Sequence, residues 1–494
     1  MLRSSLLPSL IAAAALVAGC TDTAVTGSSA NLRPTTTIAF DTINAELTSR
    51  VRAAWFGDDP DGFVRGFLYS WDRRSWYFTR RNDSVFALTL SGASGTFELS
   101  VVAVDNSADH YPLPDTAITV PFADANANGV HDAGEEFTGL EGATDPTPAR
   151  LSYGVVNSAP QVFFGDDSTA IARRAVELPD TTFTVATVRW RGFDIDGDAT
   201  IVRYEWSLND SGAAATWRAL PASTRAITVR ESDGLVPDAD NHFYLRAIDA
   251  AGAVSAVAAM PGEGRHWHVR RPRGPILLVR DYTLGDGAAA FYAGVLDTLD
   301  GGRFRGRYDE LDIRRGASGG SYGSLVPRIV DPMFIETLKL FGAVIWYGDN
   351  NPTLTLAQRA LPAYIRGGGH VLMTTALPAT VDPQGALLDF VPLDSVATSE
   401  LPSSVPSGAR LVPQSLPDGD YPTIDKGSGS IFVHPLYPGV TAQEVYRLSV
   451  LGEPIVAVRS ESRSVLFFSV QLHKLALPGV GAALHRALVV DFAL

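Results

Sequence analysis

Cysteine and basic residues are scarce in this sequence of 494 residues. The one cysteine is Cys20, so no thiol in the rest of the chain can serve as a nucleophile. Lys and Arg number 40 against 54 Asp and Glu, and the formal net charge is −14 at pH 7. Binding to nucleic acid requires a basic face that neutralises phosphates, so this composition argues against nucleic acid as a partner.

Long apolar runs are also missing. Beyond the first 20 residues, no stretch reaches the roughly 20 apolar residues that a transmembrane helix needs. The zinc-protease pattern HExxH and the dithiol pattern CxxC do not occur. A chain of this length is too long for one hydrophobic core, and its 45 Gly and 31 Pro favour several domains rich in turns.

The N-terminus has the layout of a bacterial lipoprotein signal. Arg3 supplies a positive charge, and residues 10–17 form an apolar core that is too short to span a bilayer. The sequence then reads Val17-Ala18-Gly19-Cys20, which resembles a lipobox. The resemblance implies that residues 1–20 are a signal peptide and that Cys20 carries the lipid. The alternative is a generic signal peptide in which Cys20 occurs by chance.

A lipid on Cys20 would hold the mature protein on a membrane without spanning it, because several acyl chains on one residue give stable anchoring. Thr21 stands where an Asp would indicate retention in the inner membrane. The expected location is therefore the outer membrane of a bacterial cell envelope, on its periplasmic or surface face. Residues 21–32 are rich in Thr, Ser, Gly and Ala and predict a flexible tether.

An internal repeat indicates two related modules. The segments WFGDDPDGFVRGFLYSW (55–71) and WRGFDIDGDATIVRYEW (190–206) share Trp, Gly, Asp-Gly, Tyr and Trp at equal offsets, and each is followed by a strand ending in Ala-x-Asp. Alternating apolar residues between Asp-Gly turns predict antiparallel β-sandwiches. The pattern resembles fibronectin type III and immunoglobulin-like modules, and we expect one module over 33–156 and a second over 157–272.

The D-x-D-G element in each repeat has two interpretations. It could bind calcium at the edge of a module, as in cadherin-like domains, or form a turn in which the Asp side chains cap the backbone. The turn is preferred, because two carboxylates fall short of the roughly six to eight oxygen ligands of calcium.

A calcium loop is predicted inside the first module, at DANANGVHDAGEE (124–136). The spacing matches D-x-[DN]-x-[DN]-G-x5-E, in which alternate oxygen side chains converge on one centre and Gly129 permits a sharp turn. An Asn/Gly-rich surface turn is the alternative. We expect a structural calcium ion that stiffens the connection between the two modules. The predicted ligands are Asp124, Asn126, Asn128, the Val130 carbonyl, Asp132 and Glu135.

From residue 273 onwards, buried strands alternate with helices. Strands are predicted at 275–282, 342–350, 370–376, 454–460 and 464–472, and helices at 288–299, 356–369 and near 479–492. This alternation predicts a doubly wound α/β sheet over 273–494. The sequence therefore describes a multidomain protein with two β-sandwiches followed by an α/β domain.

Three segments of the α/β domain resemble class I glutamine amidotransferase-like domains, which have a flavodoxin-like sheet: GAVIWYGDNN, YIRGGGHVLMTTAL and SVQLHKL. The resemblance implies that His473 stands at the catalytic histidine and that Thr375 stands at or beside the nucleophilic cysteine. Leu475 occupies the position of the acidic partner. Two of the three triad positions are degenerate, so the resemblance implies a pseudoenzyme.

A ligand crevice is expected where the carboxyl ends of the parallel strands meet, because polar groups at strand ends converge there. Polar residues are common at such positions in any case. The candidates are Asp281, Asp349, Asn350, Asn351, Thr374, Thr375 and His473.

The expected function is a binding or scaffolding role at the cell envelope, with an envelope protein or a glycan as partner. Two alternatives remain open. One is a hydrolase that uses the strand-end crevice, through Asp281 or Asp349 with a metal ion. The other is carbohydrate recognition by the sandwiches, with Trp76 and Trp217 as stacking surfaces.

Overall fold

The computed structural model describes residues 30–40, 50–88, 90, 92–113, 119–165, 178–314 and 332–494. The signal peptide 1–20, Cys20 and most of the tether 21–32 lie outside the described residues. The chain divides into two compact units, the first made of 1–90 and 94–156 and the second of 91–93 and 157–494. Within the described ranges, no helix has the length and apolarity needed to cross a membrane.

The described part of the first unit is a β-sandwich of two antiparallel sheets. Their strand orders are β1-β2-β5 and β4-β3-β6-β7. The strands are β1 Thr35–Phe40, β2 Arg50–Asp58, β3 Val64–Ser70, β4 Tyr77–Thr79, β5 Asp83–Ala87, β6 Ser94–Asp105 and β7 Ala149–Val156.

The long strand β6 has a core on each of its two faces. Val101 packs with Trp55 between the two sheets, whereas Val102 and Val104 pack on the opposite face with Trp76 and Phe137. Successive side chains of a strand point to opposite faces, so one strand can serve both cores. The segment between β6 and β7, which carries the predicted calcium loop, thus covers the outer face of the second sheet.

The second module is also built from antiparallel sheets, with strand orders β13-β10-β8, β12-β11-β15-β16 and the small sheet β14-β17-β9, in which β17 and β9 are parallel. Trp190 is buried in its core, as its repeat partner Trp55 is in the first module. The strands are β8 Gln161–Phe164, β9 Thr181–Thr182, β10 Val185–Phe193, β11 Ile201–Leu208, β12 Arg218–Pro221, β13 Ala226–Arg230, β14 Ala239–Asp240, β15 Phe243–Asp249, β16 Ala258–Met260 and β17 His268–Val269.

The C-terminal region contains a nine-stranded sheet with the order β19-β18-β20-β21-β28-β27-β26-β23-β24. The first five strands are parallel and the other four run antiparallel. A separate two-stranded sheet pairs β22 with β25. The strands are β18 Ile276–Asp281, β19 Tyr308–Asp312, β20 Ala343–Gly348, β21 His370–Thr374, β22 Leu393–Val396, β23 Arg410–Pro413, β24 Ile424–Asp425, β25 Leu436–Pro438, β26 Ala442–Leu448, β27 Ile455–Ser460 and β28 Val465–Phe468.

Helices cover both faces of the parallel strands. Alternate residues of β18 belong to different cores, since Ile276 packs with helices α1 and α4 while Leu277 packs with α2 and α3. The helices are α1 Ala288–Thr298, α2 Pro332–Leu338, α3 Leu354–Arg366 and α4 Leu477–His485. The predicted helices at 288–299 and 356–369 match α1 and α3 to within three residues. The antiparallel extension formed by β23, β24 and β26 was not predicted.

The second module packs against the C-terminal sheet region through buried contacts. Phe183, just before β10, is completely buried and lies 5.2 Å from Phe341 between ring centroids. Arg270 stacks on Phe183 and pairs with Asp309 at 3.0 Å. The predicted boundary near residue 272 is therefore a change of fold within one compact unit.

A buried ionic cluster joins the antiparallel extension to the C-terminal residues. Arg459 is 1% exposed and pairs with Asp491 at 2.7 Å and with Asp418 at 2.9 Å. The Tyr421 hydroxyl donates a hydrogen bond of 2.6 Å to Asp491. Hydrogen bonding and attraction from Arg459 outweigh burial and lower the pKa of Asp418 to about 2.

Replacement of this arginine by an apolar side chain should be strongly destabilising. We expect Arg459→Met to lower the free energy of unfolding by about 3–5 kcal/mol, because it leaves buried carboxylates without their main partner. Urea denaturation of the protein measures the decrease in the free energy of unfolding. Arg463→Met is the control, since Arg463 pairs with the same Asp418 but its side chain is 42% exposed, and it should cost no more than about 1 kcal/mol. Equal losses of stability in Arg459→Met and Arg463→Met would contradict the assignment of Arg459 as the main partner of the buried carboxylates.

Candidate functional site

The predicted crevice residues lie at the carboxyl ends of β18, β20 and β21 and in the turn after β28. Parallel strands end at the same edge of a sheet, so residues distant in sequence meet there. Asp281 ends β18, Asp349 follows β20, Thr374 and Thr375 follow one another at the end of β21, and His473 lies five residues after β28. The hydrogen bonds of these side chains determine which of them could bind a ligand or take part in a reaction.

Asp281 has a structural role at this edge. Its carboxylate is completely buried and accepts hydrogen bonds from Trp346 Nε1 at 3.1 Å, Thr353 Oγ1 at 2.7 Å and Arg314 Nε at 2.6 Å. The backbone amide of Thr353 donates a further bond to the same carboxylate. Both oxygens are thus occupied, and the carboxylate fixes the start of helix α3.

Asp349 is occupied in the same way. The carboxylate is buried and accepts hydrogen bonds from the backbone and hydroxyl of Thr283 and from the backbone amide of Asn351. Arg314 lies 3.5 Å from its second oxygen. Asn350 and Asn351 are exposed beside it. The guanidinium of Arg314 therefore pairs with both buried carboxylates, a role that the sequence did not indicate.

The two threonines are buried and hydrogen-bonded to carbonyl groups. Thr374 Oγ1 donates to the Val470 carbonyl at 2.8 Å, and Thr375 Oγ1 donates to the Asp349 carbonyl at 2.7 Å. The backbone of Gly348 passes so close to Thr375 that a Cβ at Gly348 would lie 2.6 Å from its hydroxyl. This hydroxyl lies within hydrogen-bond distance of two backbone carbonyls, those of Asp349 and Ala376, and the hydrogen bonds of His473 go to Asp286 and Tyr282 instead.

His473 has a carboxylate partner, although Leu475 stands at the position that the resemblance gives to the acidic residue. Its Nε2 lies 3.2 Å from Asp286 Oδ2 and 3.1 Å from the Tyr282 hydroxyl, which itself donates to Asp286 at 2.6 Å. The acid comes from the loop after β18 and not from Leu475, the position implied by the resemblance. Asp286-Gly287 stands just before helix α1. Nothing in the local sequence linked Asp286 to His473.

Burial and charge act in opposite directions within this trio. Burial lowers the pKa of His473 below its ordinary value, and the Asp286 carboxylate partly restores it. Burial would raise the pKa of Asp286, but hydrogen bonds from Tyr282 and His473 bring it below its usual range. Burial, reinforced by Asp286, raises the pKa of Tyr282. At neutral pH the geometry therefore favours a neutral imidazole held between an ionised carboxylate and a phenol.

Aromatic rings enclose the His473 imidazole, whose side chain is 5% exposed. The Tyr282 ring meets it edge-on at 5.2 Å between centroids, and Phe291 and Tyr292 lie within 6.4 Å. Among the described residues, the hydroxyl that hydrogen-bonds the imidazole is that of Tyr282. The imidazole is therefore held by a carboxylate and a phenol inside a shell of aromatic rings.

The predicted calcium loop forms a closed turn within the first module. Asp124 accepts hydrogen bonds from the backbone amides of Asn128 and Gly129, and Glu135 accepts from those of Ala125 and Asp132. Gly129 has a φ of 76°, as the sharp turn requires. The Asn126 and Asn128 amides donate to one oxygen of Asp132, whose other oxygen lies 3.3 Å from Arg73.

The loop is attached to the sandwich through a buried histidine. The His131 ring stacks on Phe137 at 4.2 Å between centroids and packs edge-on against Trp76 and Phe122. Burial lowers the pKa of His131, so the ring is neutral at pH 7. In the described parts of the chain, no group of three or more His, Cys, Asp or Glu side chains is gathered to hold a metal ion. Any ion in the loop would therefore depend on its amide and carbonyl oxygens as well.

The tryptophans considered as glycan-stacking surfaces are not free for that role. Trp76 is completely buried in the core that carries His131. Trp217 is partly exposed, but the Arg246 guanidinium lies 4.2 Å from its ring centroid. Arg246 is held there by Glu205 at 2.7 Å. Trp76 is therefore a core residue, and Trp217 already has a cation stacked on one face.

Fibronectin modules of solved structure are similar to about half of this chain. No family model matches, and no curated protein matches. Among solved structures, the fibronectin(III)-like modules of Clostridium thermocellum CbhA match at 12% identity over 48% of this chain and 96% of theirs, with a TM-score of 0.17. The FN1–FN3 domains of chicken CNTN1 match at 11% identity over 47% of this chain and 65% of theirs, with a TM-score of 0.19. TM-scores this low carry no argument, and the sandwich assignment rests on the strand pairing.

The charge of Asp286 should set the titration of His473. We expect Asp286→Asn to lower the pKa of His473 further, because burial of the ring remains while the stabilising negative charge is lost. NMR titration of the imidazole measures the change. Asp300→Asn is the matched control, since Asp300 lies 3.4 Å from another histidine, His485, and should leave the His473 titration unchanged. A pKa of His473 that stays constant or rises in Asp286→Asn would show that the pair is not formed.

Proposed function

We propose that this protein is a lipid-anchored component of a bacterial cell envelope with a non-catalytic binding or scaffolding role. Three features support the proposal. The lipobox-like segment ends at Cys20, the two β-sandwich modules provide a spacer of the kind used by extracellular proteins, and the C-terminal sheet carries polar groups at its strand ends. The partner would be an envelope protein or a glycan.

We infer that the C-terminal region is a degenerate member of the class I glutamine amidotransferase-like domains. The parallel strands follow the order second, first, third, fourth, last along the chain, which is the order of flavodoxin-like doubly wound sheets. His473 follows the last of these strands, in the position that the resemblance implies. The antiparallel extension β27-β26-β23-β24 is an addition to that plan.

The observation that carries the non-catalytic role is the hydrogen bonding of Thr375. Its buried hydroxyl donates to the Asp349 carbonyl, whereas an activated nucleophile would donate to a base. Asp281 and Asp349, the candidates for metal-assisted hydrolysis, already accept hydrogen bonds from Arg314 and two threonines. Carboxylates that are hydrogen-bonded in this way are suited to maintaining the shape of the sheet edge where the parallel strands end.

A hydrolase remains the second candidate, and the trio of His473, Asp286 and Tyr282 is the observation that favours it. A histidine oriented by a carboxylate can act as a general base. Such a reaction would also require an attacking group and oxyanion donors within about 3 Å of a common point. Opening of the aromatic enclosure would have to create that space.

We propose a structural calcium ion for the loop at 124–135. The Asp124, Asn126, Asn128, Asp132 and Glu135 side chains with the Val130 carbonyl would hold it, and their oxygen donors are the type that Ca²⁺ prefers. The support for this proposal is the ligand spacing together with the turn at Gly129, whose φ is 76°. An ion here would brace the cover on the outer face of the second sheet of the first module.

Fractionation of the cell envelope tests the proposed lipid anchor on Cys20. We expect the full chain in the outer-membrane fraction and the Cys20→Ser variant in the soluble fraction, because the lipid is the proposed attachment. Retention of Cys20→Ser in the membrane would contradict the anchor.

Assays of hydrolysis test the non-catalytic role. We expect no hydrolysis of ester, amide or glycoside substrates. Turnover that disappears in both His473→Gln and Asp286→Asn would favour the hydrolase instead.

Limited proteolysis tests the calcium loop. We expect millimolar Ca²⁺ to slow cleavage within 124–150 relative to EGTA, because ligation would hold the loop closed. In Glu135→Gln the two conditions should give the same pattern, since the variant loses the bidentate ligand. The variant Glu141→Gln is the control outside the ligand set and should keep the protection. Equal cleavage of the wild-type chain in both conditions would exclude an ion at this loop.

A further inference from the structure

The loop between β18 and helix α1 contacts the His473 ring at the edge where the parallel strands end. Every residue of this loop, 283–287, is exposed, whereas the His473 side chain is 5% exposed. The contact is made by Asp286, whose Oδ2 lies 3.2 Å from His473 Nε2. We call residues 283–287 the β18 loop.

Both ends of the β18 loop are fixed. At its start, the backbone amide and the hydroxyl of Thr283 donate to Asp349 Oδ2 at 3.0 and 2.6 Å. At its end, the Gly287 carbonyl accepts a hydrogen bond of 3.0 Å from the Phe291 amide in the first turn of α1. A motion of the loop would therefore be confined to residues 284–286.

The middle of the β18 loop is held by one side chain. Within the part of the chain that the structure describes, the backbone of residues 284–286 forms no hydrogen bond, and the apolar side chain of Leu284 is exposed. The Asp286 carboxylate accepts from the Tyr282 hydroxyl at 2.6 Å and contacts His473. Segments with few packed or hydrogen-bonded groups open at a low cost in free energy. The carboxylate of Asp286 therefore decides whether the loop stays closed.

Glycine stands on each side of Asp286, at positions 285 and 287. A Cβ added at either glycine would contact no atom within 4 Å, so the loop is not packed against its surroundings at these two points. Gly287 has a φ of 84°, a conformation that other residues rarely adopt. Small residues at the ends of a mobile segment commonly absorb the change in backbone angles when a loop opens.

We propose that the β18 loop is a lid on the strand-end site and that the Asp286 carboxylate holds it closed. In the closed state, Asp286 and the Tyr282 hydroxyl both lie within hydrogen-bond distance of His473 Nε2. Movement of residues 284–286 away from the ring removes the carboxylate and makes this nitrogen available to a ligand.

The open lid would present a polar nitrogen beside aromatic surfaces. The rings of Phe291 and Tyr292 lie within 6.4 Å of the His473 ring between centroids. Aromatic walls with a few polar groups suit a small ligand that carries hydrogen-bonding groups on an apolar frame. The lid would thus regulate access to the site, a purpose that rests on the binding role proposed above. Its opening is measured without any ligand, so it can be absent while that binding role stands.

Modification of His473 by diethyl pyrocarbonate tests the lid in the full chain. The reagent attacks a neutral imidazole that it can reach, and mass spectrometry of peptides measures each histidine separately. Burial lowers the pKa of His473, so at about pH 8 the ring is neutral in every variant and the rate reports access. We expect Asp286→Asn and Tyr282→Phe each to raise the rate at His473 about tenfold, the scale of losing a hydrogen bond to a charged group.

Two other histidines are internal references in the same digest. The His485 side chain is 43% exposed, whereas His434 is buried, and we expect the rates at both to be the same in the wild-type chain, Asp286→Asn and Tyr282→Phe. The control variant is Asp300→Asn, which removes a carboxylate that lies 3.4 Å from His485. It should leave the rate at His473 unchanged.

The reference rates separate opening of the lid from loss of the fold. A variant in which His434 also reacts faster has lost its fold, and the other variant then decides. The proposal is overturned if His473 reacts as fast as His485 in the wild-type chain, or if a folded variant leaves the rate at His473 unchanged. It is also overturned if His434 reacts faster in both variants, because the domain and not the lid would then have opened.

Discussion

A carboxylate removed from water has to be hydrogen-bonded or paired with a cation, and this constraint governs the organisation of the C-terminal sheet. Asp281 and Asp349 are buried where parallel strands end, so the chain supplies donors to both of them from Arg314, Thr283 and Thr353. Those donors fix the start of helix α3 and the loops beside it. The two buried carboxylates of this polar edge are consequently satisfied by donors from the chain itself.

Much of the fold could be predicted because the pattern of apolar residues within a short segment indicates a strand or a helix. The apolar run of β18 and the Gly stop after α3 correctly predicted those two elements. Asp286 escaped prediction because its contact with His473 joins loops that are far apart in the chain, and local spacing points to Leu475 instead. The sequence left open whether Trp76 is a core residue or a stacking surface, because the segment that buries it belongs to the insertion between β6 and β7 and has no strand periodicity of its own.

The two sandwich copies show how a repeated framework can carry different chemistry. Trp55 and Trp190 fill equivalent places in the two cores, so the repeat preserves packing. At the module ends the copies differ, because Thr200 donates to Asp194 at 2.8 Å whereas Arg65, at the equivalent repeat position, lies 3.6 Å from Asp109. An internal repeat therefore supplies its own comparison, in which the difference between copies is more informative than what they share.

The burial of Phe183 against the C-terminal sheet has a mechanical consequence. Arg270, which stacks on this ring, lies in the short segment between β17 and β18, so tension on the C-terminal region would load a packed aromatic contact next to the connecting backbone. The second sandwich would therefore share that load with the C-terminal sheet.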